Sequence, residues 1–485
     1  MRRRFLESCL NRRAQSPFIP AAMKITLHGA AGEVTGSAYH VQTNEASVLV
    51  DFGLFQGREL SSGANVVPPQ LDPHKLTSVV LTHAHLDHTG RLPLLVKAGY
   101  HGPIYATPAS LELAKLVLED AGKIQEHDSE RINRKRAERG EAAQPPLFTV
   151  ADVAGVVALF KPLPYVNPTT VAPGVTVRMY EAGHLLGSAS IEMEIAEAGK
   201  KKTVIFSGDI GPRGAPILRD AACLTRADLV FLESTYGDRD HQTLADTVKQ
   251  FREIVAKAVK EKGKILVPTF ALGRAQQLLY HLAEMFDDGV VPRFPVVLDS
   301  PMAIQATEIY VHHPELYDED MKRMVKEKGL LQRLERMQHS VTGDDSKKLN
   351  EMTGPCMILA GAGMANAGRI VHHLRQGLPL AGTVVMIVGF QAPGSLGRHL
   401  VDGDKEVSIF GERVPVRATV HTLGGFSAHA GQTDLMEWFS CPAHQRPRVV
   451  LTHGEEKGRK PLAQLIQQRY GIQAVLPMLG DEIEL

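Results

Sequence analysis

Directly after the apolar run Ser78–Leu81, the segment Thr82-His83-Ala84-His85-Leu86-Asp87-His88 gathers three histidines and an aspartate. Any fold this chain adopts has to gather those side chains around something. His83 and His85 are two apart, so on an extended segment they project to the same side. Asp87 and His88 follow on a turn, from which they can reach a second position. Imidazole with carboxylate suits zinc, with manganese or iron behind it. A single histidine at a strand end is ordinarily structural or solvent-facing; this grouping is not.

The rest of the composition is plain. At 485 residues the chain is long enough for two to three domains at ~150 residues each. Lys plus Arg is 54 and Asp plus Glu is 54, so the formal charge is zero. That excludes a binder relying on bulk positive charge, and also an acidic disordered chain. The cysteines Cys9, Cys223, Cys356 and Cys441 are scattered, without a C-x-x-C pair. They predict neither a disulfide framework nor a thiolate zinc site, and a reducing compartment. No apolar run reaches the ~18 residues of a membrane span. No signal-like apolar core follows Met1-Arg2-Arg3-Arg4, so a cytoplasmic location is expected. Residues 1–22 read as a disordered extension, with Met23 opening the first regular segment.

Short Val-, Ile- and Leu-rich runs recur along the chain. They are Ser47–Val50, Ser78–Leu81, Thr203–Phe206, Leu229–Leu232, Lys264–Val267, Val296–Leu298, Met357–Leu359, Val384–Val388 and Val449–Leu451. Such runs predict buried strands. Helical patterns at Ala109–Glu119, Leu244–Lys260, Ala275–Phe286, Gly368–Gln376 and Lys460–Arg469 fall between them. The alternation predicts an α/β chain with helices covering sheets. Charged stretches at Gly122–Pro146 and Glu315–Asp345 read as solvated helical segments. Asp51, His83, Asp209, Glu233 and His453 each stand at the C-terminal end of a predicted strand, where α/β folds carry their sites.

The H-x-H-x-D-H segment resembles the signature of the metallo-β-lactamase superfamily. The resemblance calls for an upstream Asp, a later His, a later Asp and a final His. Asp51 in Val48-Leu49-Val50-Asp51, His184 in Gly183-His184-Leu185-Leu186-Gly187, Asp209 in Ser207-Gly208-Asp209 and His453 in Leu451-Thr452-His453-Gly454 stand in that order. It implies two zinc ions per chain. His83, His85 and His184 would hold one, Asp87, His88 and His453 the other, with Asp209 bridging and Asp51 orienting the ligands.

More than a domain's length separates Asp209 from His453, so something is inserted. The insert carries Glu233-Ser234-Thr235-Tyr236-Gly237, Pro268-Thr269-Phe270-Ala271-Leu272-Gly273-Arg274, Asp299-Ser300-Pro301-Met302, Gly361-Ala362-Gly363-Met364, Gly389–Arg398 and Phe426-Ser427-Ala428-His429. This series is similar to the β-CASP branch, whose members process nucleic acids. The implied fold is a four-layer αββα metallo-β-lactamase domain with an inserted α/β β-CASP domain. The expected divisions are 23–235 and 415–485 for the first domain and 236–414 for the second.

The resemblance implies a ribonuclease acting on single-stranded RNA, with hydrolysis by a metal-bound hydroxide that leaves 3′-hydroxyl and 5′-phosphate ends. His429 would protonate the departing oxygen, and Glu233 would orient His429 and keep it charged. Histidine at the His453 position is typical of RNA-processing members, whereas DNA-processing members carry Val. Gly363 and Met364 would contact phosphate through backbone amides, the usual two serines before them being replaced by Gly361 and Ala362. Arg274 can serve either a phosphate or the structure. His372, His373 and His399 match no ligand position. The sequence shows no KH-like segment ahead of the core, and a homodimer is compatible with it. A small-ester or thioester hydrolase, a DNA-processing nuclease and an inactive scaffold are the competing readings. The first leaves His429 and the long insert unexplained, and the last is opposed by the complete ligand set.

Overall fold

The computed structural model describes residues 23–57, 63–197, 199–327 and 337–485. The extension expected at 1–22 lies outside the described residues. Two seven-stranded sheets and one six-stranded sheet carry the architecture.

The first sheet runs Glu482–Glu484, Lys24–Leu27, Tyr39–Gln42, Ser47–Val50, Ser78–Val80, Ile104–Ala106, Phe160–Pro162. Its early pairings are antiparallel, and it becomes parallel from Ser47–Val50 onward. The second runs Ala474–Val475, Arg448–Thr452, Leu229–Glu233, Lys200–Phe206, Ala189–Glu197, Val175–Glu181, Thr169–Ala172. Here the parallel half is Ala474–Val475 through Lys200–Phe206. Val48, Val50, Val80, Val177, Ile191, Phe206 and Phe231 fill one apolar layer between the two sheets. On the outer face of the first, Val79 and Leu81 pack with Leu92, Leu118 and Phe148. On the outer face of the second, Val230 and Leu232 pack with Leu435, Phe439 and Leu462. Alternate residues of one strand thus serve opposite cores, giving the four layers expected.

The third sheet is parallel throughout: Met337–His339, Val296–Leu298, Cys356–Ala360, Lys264–Pro268, Thr383–Ile387, Thr419–Thr422. Ile265 and Val267 face Phe251, Val255 and Leu278, while Leu266 faces Ile370 and Leu374. Both faces are covered, as a parallel sheet requires. The last strand, Thr419–Thr422, falls beyond the expected division at 414, because it pairs with Thr383–Ile387.

Helix Leu244–Lys260 forms where the pattern predicts it. Thr243 accepts from the Asp246 backbone N–H at its start, and Thr247, Phe251, Val255 and Ala258 make one buried stripe. Two expectations change. Ala109–Glu119 and the charged stretch after it form one continuous helix, Pro108–Glu138, whose burial ends at Gly122. The Gln144 carbonyl returns to accept from Ser129 and Asn133, which holds the solvated end in place. Cys223 and Cys441 form a disulfide, against the expectation of none. They are 218 residues apart, and no local spacing announces such a pair.

Candidate metal centre

The ends of both sheets' parallel halves meet at one edge, and every predicted ligand is there. Asp51 follows the strand Ser47–Val50 and His83 follows Ser78–Val80. Asp209 follows Lys200–Phe206, Glu233 ends Leu229–Glu233, and His453 follows Arg448–Thr452. Asp51 and His453 adopt left-handed backbone conformations, φ 56° and 48°. For non-glycine residues this is costly and must be held by the surroundings. Some of that holding is visible. Phe52 and Leu54 N–H groups donate to the His88 and Leu86 carbonyls. Between them, a Cβ on Gly53 would lie 1.5 Å from the Asp87 carbonyl oxygen, so only glycine allows this approach.

Two donor clusters result, sharing Asp209 between them. In the first, His83 Nε2 and His184 Nε2 each lie 3.0 Å from His85 Nδ1, and each lies 3.5 Å from Asp209 Oδ2. In the second, His88 Nε2 is 3.3 Å from His453 Nε2, which is 3.5 Å from Asp87 Oδ2. Asp209 Oδ1 is 3.3 Å from His88 Nε2 and 3.6 Å from His453 Nδ1.

The hydrogen bonds behind these nitrogens fix which of them are bare. His184 Nδ1 donates to the Ala428 carbonyl at 2.8 Å, leaving Nε2 a lone pair. Asp51 accepts from the Thr82 N–H at 2.7 Å, from Thr82 Oγ1 at 2.7 Å and from His88 Nδ1 at 2.8 Å. With its hydroxyl proton given to Asp51, Thr82 Oγ1 accepts from His83 Nδ1, which bares His83 Nε2. His85 Nδ1 has at most one proton for two facing lone pairs. Asp209 Oδ1 is buried with no aligned donor. Buried polar atoms are rarely left so, and this donor set fits two cations.

The electrostatics agree. Burial, with the neighbouring His88, holds His83 well below the usual histidine pKa, and burial, with His429, does the same to His184. Neutral imidazole is the form that binds metal. Burial would raise Asp209, yet His453, His88 and His83 hold it well below the carboxylate range. Burial would lower His88, but Asp209 and Asp51 raise it well above 6.5. A cation would take the place of that proton.

His429 sits against this cluster outside both triads, although with Asp209 and His453 it makes a third group of donor atoms close enough to share an ion. Its ring centroid is 4.6 Å from that of His184, and its Nε2 is 3.9 Å from Asp209 Oδ2. Its Nδ1 is 3.3 Å from Glu233 Oε1. Glu233 is fixed in turn by the N–H groups of Ile210 and Thr235. Burial would lower His429, but Glu233 and Asp209 raise its pKa to about 9.

The remaining expected residues stand outside the cluster. Arg274 is buried and donates to the Val388 carbonyl, and burial brings its pKa down to about 10. It borders the same hollow as His184 and Ser427. Gly363 and Met364 lie on the inserted domain, where their carbonyls accept from Gln391 Nε2 and the Gly397 N–H. Among the amides at that loop, those of Ala362 and Ile370 are spent on Ala367 and Gly361. From the hollow beside His184 a groove continues past Pro212, Ala215 and Gln277 into a pocket of about 320 Å³.

Sequence reasoning passed over four contributors. Thr82 and Thr235 set ring orientations, Thr235 Oγ1 lying 3.0 Å from His453 Nδ1. His241 packs edge-on against Tyr236 at 4.2 Å and hydrogen-bonds the His429 backbone. Arg91 is buried, donating to the carbonyls of Gly53, His28 and Gly36 and so tying down the loops beside Asp51. Each is a common residue type with no spacing to mark it.

Three family profiles cover the chain: the metallo-beta-lactamase superfamily at residues 31–269, the Beta-Casp domain at 275–400, and the Zn-dependent metallo-hydrolase RNA specificity domain at 413–477. The chain is 39% identical to the ribonuclease TTHA0252 of Thermus thermophilus, over 95% of this chain and 100% of the relative. It is 30% identical to the transcription termination factor FttA of Methanosarcina mazei, over 93% of this chain and 70% of that one. A crystal structure of a protein of unknown function from Enterococcus faecalis shares the fold, with TM-score 0.54 and 14% identity, over 96% of this chain and all of that one. With the clustered ligands, the inserted parallel sheet and these relatives together, the chain belongs to the β-CASP branch of the metallo-β-lactamase superfamily.

Proposed function

We propose that this chain is a dizinc ribonuclease, an endonuclease that hydrolyses phosphodiester bonds of single-stranded RNA in the cleft between its two domains. The observation that carries this reading is the position of Asp209. Its carboxylate reaches both donor triads, and His429, held by Glu233, overlooks the same oxygen pair.

His83, His85 and His184 would hold one ion, and Asp87, His88 and His453 the other. Bound there, a zinc pair supplies an activated water and offsets charge on the phosphoryl oxygens. The chain's own groups do the rest. Asp51, fixed by Thr82, aims His88 and, through Thr82, His83. Glu233 accepts a hydrogen bond from His429 Nδ1–H and keeps the ring charged, with Nε2–H facing the centre to protonate the departing oxygen. Arg274, Gly363 and Met364 border the path of the RNA away from the reacting phosphate. We place this activity in the cytoplasm.

The ribonuclease name of the Thermus thermophilus relative and the RNA specificity profile at 413–477 support RNA as the substrate class. Histidine at position 453 argues in the same direction. The deciding experiment offers metal-replete protein labelled single-stranded RNA, single-stranded DNA and a small ester. Cleavage of the RNA with two zinc ions per chain is expected. A preference for the ester would overturn the nuclease reading, and a preference for the DNA would overturn the choice of RNA.

A further inference from the structure

Large apolar side chains are seldom left open beside a polar cleft without a reason. Phe270 and Phe390 are 45% and 54% exposed at the C-terminal edge of the inserted parallel sheet. They follow neighbouring strands, Lys264–Pro268 and Thr383–Ile387, and the strand Cys356–Ala360 pairs on the other side of Lys264–Pro268.

Phe270 is not a loosely placed ring. A Cβ on Gly363 would stand 2.6 Å from its Cε2, and one on Gly389 would stand 3.7 Å from the same atom. Bare glycine backbone at 363 therefore lies close against the ring, with Gly389 near the same edge. Gln391 locks the two glycine loops together, its Nε2 donating to the carbonyls of Gly363, Gly389 and Phe390 at 3.0, 3.1 and 2.9 Å. Phe390 leaves the same clamped turn. The built Cβ of Gly389 is also 3.7 Å from Arg274 Nη1, and Arg274 borders the hollow that contains His184. Phe270 is thus near Arg274, which links the ring to the hollow beside His184.

We propose that Phe270 and Phe390 form a stacking platform for nucleobases of single-stranded RNA next to the scissile phosphate. The proposal rests on the ribonuclease reading and adds to it how the chain grips a strand despite zero net charge. A rigid ring with one backed side and one open side is what base stacking uses. Such stacking is tolerant of sequence, and loss of one ring costs roughly 5- to 150-fold in affinity. In a duplex the base faces are already covered, so the platform also selects single strands. The glycine at 363 acquires a physical reason: a side chain there would displace the ring.

The test compares metal-replete wild type with Phe270→Ala, Phe270→Leu and Phe270→Trp, and with Phe390→Ala. KM is measured on a labelled single-stranded oligonucleotide and on the same oligomer carrying abasic residues beside the cut. Expected are a rise in KM of roughly tenfold for Phe270→Ala and Phe270→Leu, near wild-type KM for Phe270→Trp, and a smaller rise for Phe390→Ala. These differences should shrink on the abasic oligomer. Leucine keeps the size and apolarity but has no ring, so a wild-type KM for Phe270→Leu overturns the platform. Equal KM changes on both oligomers overturn it too. Unchanged KM with loss of a dimer in sedimentation would assign the rings to a subunit contact instead. If wild type itself fails to cut the RNA, the ribonuclease reading falls first, and the platform with it.

Discussion

Two buried clusters in this molecule use the same residue types to opposite ends. In the inserted domain, Asp299 is fully buried and every neighbour answers it. Its Oδ1 accepts from Arg369 Nη1 at 2.7 Å, and its Oδ2 accepts from Ser346 Oγ at 2.6 Å and His373 Nε2 at 2.7 Å. His373 Nδ1 has Asn350 Oδ1 at 2.9 Å. At the metal centre Asp209 is as buried, but its Oδ1 has no aligned donor, and histidine lone pairs converge beside it. A closed cluster is structure; a buried carboxylate oxygen without an aligned donor, facing histidine lone pairs, suits a cation. Burial and residue type alone do not separate the two. The count of unanswered atoms does.

Exchanging one oxygen for nitrogen at each aspartate breaks the comparison if it is wrong. Asp209→Asn should abolish turnover, by roughly 10⁴-fold or more, and release metal, since it removes the group reaching both triads. Elemental analysis and kcat are the readouts, and an Asp209→Asn variant with two zinc ions and normal turnover would end the bridging assignment. His429→Ala should cost roughly 10²- to 10⁴-fold in kcat while retaining both ions. Loss of metal there would make His429 a ligand. Asp299→Asn should do the reverse of Asp209→Asn. It strands the buried His373 and weakens the pairing of the half-buried Arg369, and should cost about 3 kcal/mol of stability in denaturant unfolding. Metal content and turnover of the folded fraction should stay near wild type.

What the sequence revealed follows the same division. The clustering of the expected ligands was legible because four of them crowd into His83–His88, and Asp209 and His453 follow Val- and Ile-rich strands. Local pattern carries that information. The Cys223–Cys441 bond, Thr82 turned onto Asp51 and Thr235 turned onto His453 depend on chain segments far apart, and threonine and cysteine occur everywhere. The boundary at 414 missed Thr419–Thr422 because a short edge strand owes its existence to its partner, Thr383–Ile387, rather than to its own residues. Asp299 and Asp209 both follow strands and look alike in sequence; only the resemblance to a known family told them apart. The two serines absent at Gly361 and Ala362 were legible as a departure, but the ring of Phe270 over Gly363 was not.

The smallest effect concerns Glu233, which belongs to neither cluster's core but sets the charge of His429. With cations on Asp209 and Asp87, the Glu233 carboxylate would be the main group left to raise His429. The sign follows directly. A histidine raised by a facing carboxylate keeps its proton, and its role as acid, below its shifted pKa, and loses both as pH rises through that value. Glu233→Gln keeps the shape and a hydrogen-bond acceptor but removes the charge. The pKa of His429 should fall toward the ordinary ~6.5, so the alkaline limb of the kcat profile should move to lower pH by one unit or more. At pH 7 the loss should be only several-fold, and metal content should not change. A variant whose kcat falls equally at every pH, with the limb in place, would show that Glu233 positions the ring without governing its proton. A limb that moves as expected would instead sharpen the contrast with Asp299. One buried carboxylate holds a histidine for packing, and the other tunes a histidine for proton transfer, although both make a single ring contact through nitrogen.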